Sequence, residues 1–260
     1  MTKKSKPAAP SRELPATGWK YYQLFKDVRE AISCLPIYFR TETHISGIMA
    51  TDLHTLNTVL GATIEEQVVR TLNLIRNTWD PDEKYALYSF VRQAQTFPDV
   101  LLRKTSGDEI LLGIELKGWY LLAKEGMPNF RFTVTPAACN PWDLVVVVPW
   151  ALSNVLSGSP VAYSPFIELA RYAAEQRNYY WQYEREAEGD SSVTVAAGAR
   201  PYPGKGEQIA DRPAYDPGGN FGRLARYGIM SQYVQQMMQT KLSGVSVQEW
   251  LKFFRAHAQE

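Results

Sequence analysis

The sequence predicts an α/β protein, with a central mixed β-sheet flanked by helices and additional helical elements in its second half. Three observations predict it. Residues 97–119, F-P-D-V-L-L-R-K-T-S-G-D-E-I-L-L-G-I-E-L-K-G-W, read as two strands joined by a turn at Thr105-Ser106-Gly107-Asp108. Leu144-Val145-Val146-Val147-Val148 is an unbroken, β-branched apolar run, the pattern of a strand buried on both faces. In residues 63–79, Ile64, Val68, Leu72, Ile75 and Trp79 recur at spacings of three and four, which makes one helical stripe.

Residues 19–32 read as a short amphipathic helix with Tyr21, Tyr22, Leu24, Phe25, Val28 and Ile32 on its apolar side, and Pro36 breaks the pattern. Residues 40–52, with His44 and Asp52, are polar and loop-like. In the helix at 63–79, Thr63 suits the N-cap, and Glu65 and Glu66 suit the positive N-terminal end. At about 100° per residue Glu65 falls at the border of the apolar stripe and Glu66 toward solvent. Asp80-Pro81-Asp82-Glu83-Lys84 is a turn by composition, and residues 85–95 read as a helix leading into the hairpin. Past the hairpin, residues 119–124 read as one or two helical turns and 130–135 as a short strand. Pro149 and Trp150 end the buried apolar strand.

Residues 164–188 read as a long helix capped by Ser164, with Pro165 at its first position. Arg171, Tyr172, Arg177, Tyr179, Tyr180, Trp181, Tyr183 and Arg185 crowd it. Such a mixture fits a nucleic-acid surface or a packed face with snorkelling arginines, and packing is favoured. Residues 198–220 carry Pro or Gly at nine of twenty-three positions and therefore read as a loop, facing nucleic acid or merely inserted. Residues 221–240 read as a helix with Arg223 and Arg226 near its start. Ser246-x-x-Glu249 is a capping box that opens a last helix over 247–257, with Trp250, Leu251 and Phe254 inward.

A length of 260 residues can bury a sizeable core, and 45% hydrophobic with 21% charged residues is a globular composition. No apolar run approaches a membrane span, and the basic start M-T-K-K-S-K lacks the apolar stretch of a secretory signal. A cytoplasmic protein is expected. Residues 1–16 read as a disordered basic tail whose Lys3, Lys4 and Lys6 are solvated or touch a phosphate backbone. Cys34 and Cys139 are far apart and read as two buried reduced thiols. The formal charge of +1 decides nothing about nucleic acid, because local charge is what matters.

The chemistry concentrates in the hairpin. Residues two apart on a strand share a face, so Glu115 and Lys117 project together while Ile114 and Leu116 point into a core. Pairing of the two strands brings Asp99 beside Glu115. Two carboxylates and an ammonium then converge at one sheet edge. Carboxylates suit Mg²⁺, which prefers oxygen ligands shared with phosphate, and a lysine can hold an attacking water or offset charge building on phosphorus. Metal-assisted phosphodiester hydrolysis is the expected reaction. An ordinary surface hairpin with a Glu–Lys pair is the plain alternative.

Pro98-Asp99, a spacer of fifteen residues, and Glu115-Leu116-Lys117 resemble the PD-(D/E)XK nuclease motif, whose largest group is the type II restriction endonucleases. The resemblance covers about residues 60–150. It implies a restriction-endonuclease-like core, with Asp99 and Glu115 binding Mg²⁺, the Leu116 carbonyl joining them and Lys117 orienting the nucleophile. A helix before the hairpin lends a glutamate in many of these enzymes, and Glu65 is the candidate. The crossover helix usual between the E-x-K strand and the next strand is not obvious here; residues 136–140 hold only a short one. Residues 17–260 then form one nuclease domain, with a catalytic core at about 60–150 and recognition or dimerisation elements at about 151–260. The implied partners are double-stranded DNA, a second copy in a homodimer and a cognate DNA methyltransferase, with no membrane. Arg200, Lys205, Arg212, Arg223 and Arg226 are the candidate DNA contacts.

Other chemistries lack their residues. His44, His54 and His257 form no metal or nuclease constellation, and no C-x-x-C, G-x-S-x-G, P-loop or strand-linked G-x-G-x-x-G occurs. Two further readings compete with restriction. One is a nuclease of repair, recombination or a mobile element without strict sequence specificity. The other is a catalytically silent DNA-binding protein on the same fold.

Overall fold

The hairpin forms as its sequence predicts. In the computed structural model, which describes residues 6–48, 56–93 and 96–257, β2 (Val100–Lys104) and β3 (Ile110–Tyr120) are antiparallel, with Val100 opposite Ile114. On the free side of β2 lies β1 (Tyr88–Arg92), also antiparallel, with Arg92 opposite Val100. On the far side of β3 lies β4 (Leu144–Leu152), parallel to it and buried along its whole length. The outer edge of β4 is shared by β6 (Phe166–Leu169) and β5 (Pro160–Ala162), both antiparallel. The sheet is thus six-stranded and mixed, within an α/β architecture.

Seven helices accompany the sheet among the described residues: α1 (Tyr22–Ser33), α2 (Leu35–Tyr38), α3 (Leu56–Leu74), α4 (Arg76–Trp79), α5 (Ala170–Tyr179), α6 (Ser231–Gln239) and α7 (Val247–His257). Ile64, Val68 and Leu72 of α3 are buried. A small cavity between Val68, Leu72, Val100, Ile114 and Leu116 marks where α3 meets the sheet. One buried cluster runs from Leu24 through Leu152 to Phe254. Residues 6–16 run along the surface of the second half. There the Arg12 guanidinium grips the Glu168 carboxylate with two hydrogen bonds, and Tyr179 donates to the Pro7 carbonyl. Lys3, Lys4, Asp52 and His54 lie outside the described residues. No helix among those residues is long and apolar enough to cross a membrane.

Several elements differ from the sequence expectation. The helix expected from Thr63 is already helical at Leu56, because Leu56 and Leu60 continue the every-fourth stripe of Ile64, Val68 and Leu72. Thr63 is therefore not its N-cap. Residues 88–92 are strand, not helix. Pairing with β2 satisfies one edge of β1, and on the other the Asn73 side chain bonds both the N–H and the carbonyl of Phe90. Tertiary partners here override a weak local preference. Residues 119–124 are not helical. β3 continues to Tyr120 because β4 runs beside it to Trp150. Pro149 does not end β4, since it falls between the ladder to β6 and the ladder to β5.

The stretch 130–135 is extended but joins no sheet. It is held by one bridge, Val134 to Ala210, and by backbone bonds to Ile209, Asp211 and Gly222. Residues 166–169 are the strand β6, so Ser164 and Pro165 cap no helix; the open edge of β4 takes them instead. After Tyr179 the chain makes a π-turn, Tyr180–Glu184. The expected helix over 221–240 begins only at Ser231, because Gly222 (φ 89°) and Gly228 (φ 85°) adopt left-handed backbone. A short 3₁₀ turn, Leu224–Arg226, precedes it. The capping box is formed as expected: the Glu249 N–H donates to Ser246 Oγ at 3.2 Å and the Ser246 N–H to Glu249 Oε2 at 3.2 Å. The crossover from β3 to β4 carries only a 3₁₀ turn, Pro136–Ala138. Cys139 is buried, whereas Cys34 is only half-buried, and both are free.

Candidate active site

Continuing the β2–β3 register places Asp99 opposite Glu115 and Pro98 opposite Leu116. Asp99, Glu115 and Lys117 come together as the alternation of β3 requires. The Lys117 ammonium lies 2.7 Å from Asp99 Oδ2 and 2.9 Å from Glu115 Oε1. Ile114 and Leu116 point the other way and are buried. Asp99 Oδ2 also accepts the Leu116 N–H at 3.0 Å. The N–H and C=O of one strand residue face the same side, so the Leu116 carbonyl faces the Pro98–Asp99 segment as well. Its ladder partner would be Pro98, which has no N–H to give. The proline of the P-D pair thus leaves that carbonyl without a ladder donor.

Two supports hold Asp99 in place. The Gln93 N–H donates to the Asp99 carbonyl at 2.7 Å, and Gln93 Nε2 donates to the Pro98 carbonyl at 3.0 Å. Beneath them lies Gly113. A Cβ there would stand 2.5 Å from Pro98 Cγ and 2.8 Å from Asp143 Oδ1. The buried Asp143 carboxylate accepts the Gly113 N–H at 2.7 Å, the Asn140 N–H at 2.8 Å and the Tyr202 hydroxyl at 3.1 Å. Burial pushes its carboxyl up to about 6, against these three donors.

Glu115 is the most buried of the trio. Burial raises its carboxyl to about 7, helped by Asp99 and Glu65 and opposed by Lys117. Its Oε2 is buried and has no hydrogen-bond partner. For Lys117, burial disfavours the charge, but Glu115 and Asp99 outweigh it and hold the ammonium above its usual range. Glu65 approaches from α3. Burial raises its carboxyl, Lys117 and Arg92 oppose that, and Asp99 adds to it, so Glu65 shares the field of the cluster. An orphaned carboxylate oxygen is costly unless something fills its place. A hard divalent cation fits that need, and Asp99, Glu115 and the Leu116 carbonyl are the oxygen donors at hand. Among the described residues no group of three or more His, Cys, Asp or Glu side chains stands at metal-holding distances, so the donor set is two carboxylates and backbone.

The five candidate DNA contacts are not brought to this cluster. Arg200 pairs with Glu207 at 3.3 Å, and Lys205 and Arg212 are exposed. Arg223 donates to the Gly219 carbonyl and Arg226 to Asn220 Oδ1. Arg223 and Arg226 precede α6 instead of starting it. The loop that carries Arg200, Lys205 and Arg212 nonetheless reaches the site's underside, through Tyr202 on Asp143 and through Thr96 Oγ1 on the Pro203 carbonyl. In the 164–188 segment the arginines pack: Arg171 donates to the Cys139 carbonyl, Arg177 is fully buried and Arg185 stacks on Trp181. His44 is exposed and His257 bonds one turn back to the Phe253 carbonyl.

Sequence reasoning missed Arg92, Gln93 and Asp143. Arg92 and Gln93 fell in a stretch read as helix. Gly113 inside a strand was the available signal for a close approach. Comparison with protein-family models, with curated proteins and with solved structures returned no match to this chain.

Proposed function

We propose that this protein is a PD-(D/E)XK-type nuclease with a restriction-endonuclease-like core, and that it acts as a type II restriction endonuclease. It would hydrolyse phosphodiester bonds of double-stranded DNA at a short, palindromic sequence with Mg²⁺. The observation that carries this reading is the cluster itself: Lys117 within 2.9 Å of both Asp99 and Glu115, with Glu115 Oε2 buried and unpartnered. The order of helix, antiparallel hairpin and buried parallel strand, α3, β2–β3 and β4, supports it.

Asp99, Glu115 and the Leu116 carbonyl would hold the cation, with Glu65 in support. When bound, Mg²⁺ supplies charge for the phosphoryl oxygens and an acidified water. Lys117 donates hydrogen bonds only, so it orients the water and offsets charge growing on the phosphate. Ile114 and Leu116 anchor the strand beneath and fix the geometry of Glu115 and Lys117. A palindromic site is naturally read by a two-fold homodimer, one centre per strand, working in the cytoplasm beside a cognate methyltransferase.

The test is incubation of plasmid and phage DNA with the purified protein in Mg²⁺ and in EDTA, beside Lys117→Ala. Discrete Mg²⁺-dependent fragments that vanish in the variant are expected. A Mg²⁺-dependent smear would replace restriction by a nuclease without strict sequence preference. No cutting at all would leave a silent DNA-binding protein.

A further inference from the structure

Arg92 ends β1 beside Val100, the residue after Asp99. Its backbone is fixed, since the next residue, Gln93, is tied to both Pro98 and Asp99. Its side chain is 40% exposed, and its one ionic contact is Glu65 Oε2 at 3.5 Å, longer than a charge-assisted hydrogen bond. Among the described residues no hydrogen bond from Arg92 accompanies it. Arg177, which faces the buried Asp211, by contrast spends every N–H on a partner. Arg92, whose register partner Val100 faces α3, thus keeps a full fork of donors free beside Glu65 of that helix, the carboxylate that also feels Lys117 and Asp99.

We propose that Arg92 is a substrate-binding residue of this site, which grips a phosphate oxygen of the DNA backbone next to the cluster, and that Glu65 holds it in reserve. The inference rests on the nuclease reading for its ligand. A guanidinium stays charged at any working pH, and its planar fork matches two phosphate oxygens, whereas Lys117 is a point charge already committed to two carboxylates. Glu65 is the ionic partner of Arg92 and also lies in the field of Lys117 and Asp99. While it holds Arg92, it competes with phosphate for the same donors. Removing the Glu65 charge should therefore free Arg92 for DNA.

The experiment is metal-free DNA binding in EDTA, read by fluorescence anisotropy on a labelled duplex of about 30 base pairs cut from the plasmid used above. Native protein is compared with Arg92→Ala, Arg92→Lys, Glu65→Gln and the double variant Arg92→Ala with Glu65→Gln. Arg92→Ala should weaken binding by about tenfold, the scale of one charge-assisted contact, with Arg92→Lys in between. Glu65→Gln should tighten binding several-fold, and most of that gain should vanish when Arg92 is also removed. Thermal midpoints of all variants show whether a loss is one of folding, and Arg92→Lys carries the comparison if Arg92→Ala unfolds. Arg92→Ala binding like native overturns the proposal. So does a Glu65→Gln gain that persists without Arg92, and so does a native protein that binds no duplex. Cleavage separates this from the parent reading. Native cutting that Lys117→Ala abolishes, with unchanged binding and unchanged KM and kcat in Arg92→Ala, would sink Arg92 and keep the nuclease.

Discussion

The ionic clusters at Arg177–Asp211 and at Asp99–Glu115–Lys117 are built differently. At Arg177 and Asp211 every donor meets an acceptor. The guanidinium bonds the Phe132 and Val134 carbonyls, Asn178 Oδ1 twice, and Asp211 at 2.6 Å, while the other Asp211 oxygen accepts the Ala196 N–H. It also lies over the Phe221 ring. At Asp99, Glu115 and Lys117 an oxygen is left over and two of the three side chains reach solvent. A closed cluster ties chain segments together. An open one leaves room for a ligand. Only the first can be called structural on its contacts alone.

The largest expected difference is in Lys117→Ala. Cleavage should fall by about 10² to 10³-fold or more, the cost of removing a group that meets charge in the transition state. Stability should fall little at pH 6, because Glu115, at about 7, is then free to take a proton. The opposite holds for Asp211→Ala. In the native fold burial lowers the Arg177 guanidinium to about 10, and Asp211 opposes that fall. Leaving the guanidinium unpaired should cost about 3–5 kcal/mol, read from urea unfolding, while folded molecules still cut. If both variants lose stability and activity alike, the two clusters are not different in kind.

Gly113→Ala sharpens the contrast from inside the site. Its methyl cannot coexist with Pro98 and Asp143 where they stand, so the Pro98–Asp99 segment must shift. A shift of about 1 Å at a reacting centre can cost about 10²-fold in rate, with overpacking of about 1–3 kcal/mol beside it. Metal-free DNA binding should stay within a few-fold of native. Full cleavage by Gly113→Ala would mean that Asp99 is not held by this contact.

The open cluster should also announce itself through pH. Glu115 is raised from its ordinary value of 4.5 to about 7, so the folded state binds its proton more tightly than the unfolded state does. Its ionisation therefore costs nothing below pH 4.5, costs progressively more between pH 4.5 and 7, and is constant above. Glu115→Gln removes that cost. In EDTA the variant's advantage in unfolding free energy should grow by roughly 1 kcal/mol per pH unit across that window. Mg²⁺ affinity of the native protein should run the other way, rising to about pH 7, since the cation needs the carboxylate. A flat difference between native and variant would remove the buried, perturbed carboxylate from the picture.

The hairpin was legible because its information is local: period-two alternation, a turn of Ser, Gly and Asp, and a register that fixes Asp99 beside Glu115. The capping box at Ser246 was legible for the same reason. β1 and β6 were not. Y-S-F-V-R and F-I-E-L carry no pattern that separates strand from helix, and each becomes a strand because β2 or β4 offers an open edge. Arg92 and Gln93 were lost with β1. The Arg177 cluster was partly legible, since packing was the favoured reading of that basic, aromatic segment. Its partner Asp211 sits 34 residues away in a loop that sequence treats as spacer. Long-range pairing of this kind leaves no periodic trace.

Tyr202 joins the two halves, and its removal is the subtlest test. The hydroxyl donates to Asp143 Oδ1 at 3.1 Å and accepts from Asn140 Nδ2 at 3.4 Å, so the loop with Arg200 and Lys205 is tethered to the residue that holds Gly113. Tyr202→Phe keeps the ring and deletes the tether. That hydrogen bond holds the Asp143 carboxyl down against its burial, so without it the carboxyl should rise above about 6. The cost should be about 1 kcal/mol at pH 8, where Asp143 is charged, and smaller at pH 5, where it is already protonated in the native fold. If the loop carries DNA contacts, metal-free binding should weaken by a few-fold with its salt dependence unchanged, because no charge has been removed. An unchanged affinity would confine the tether to bracing β3 from below, and would place the DNA-binding surface away from residues 200–207.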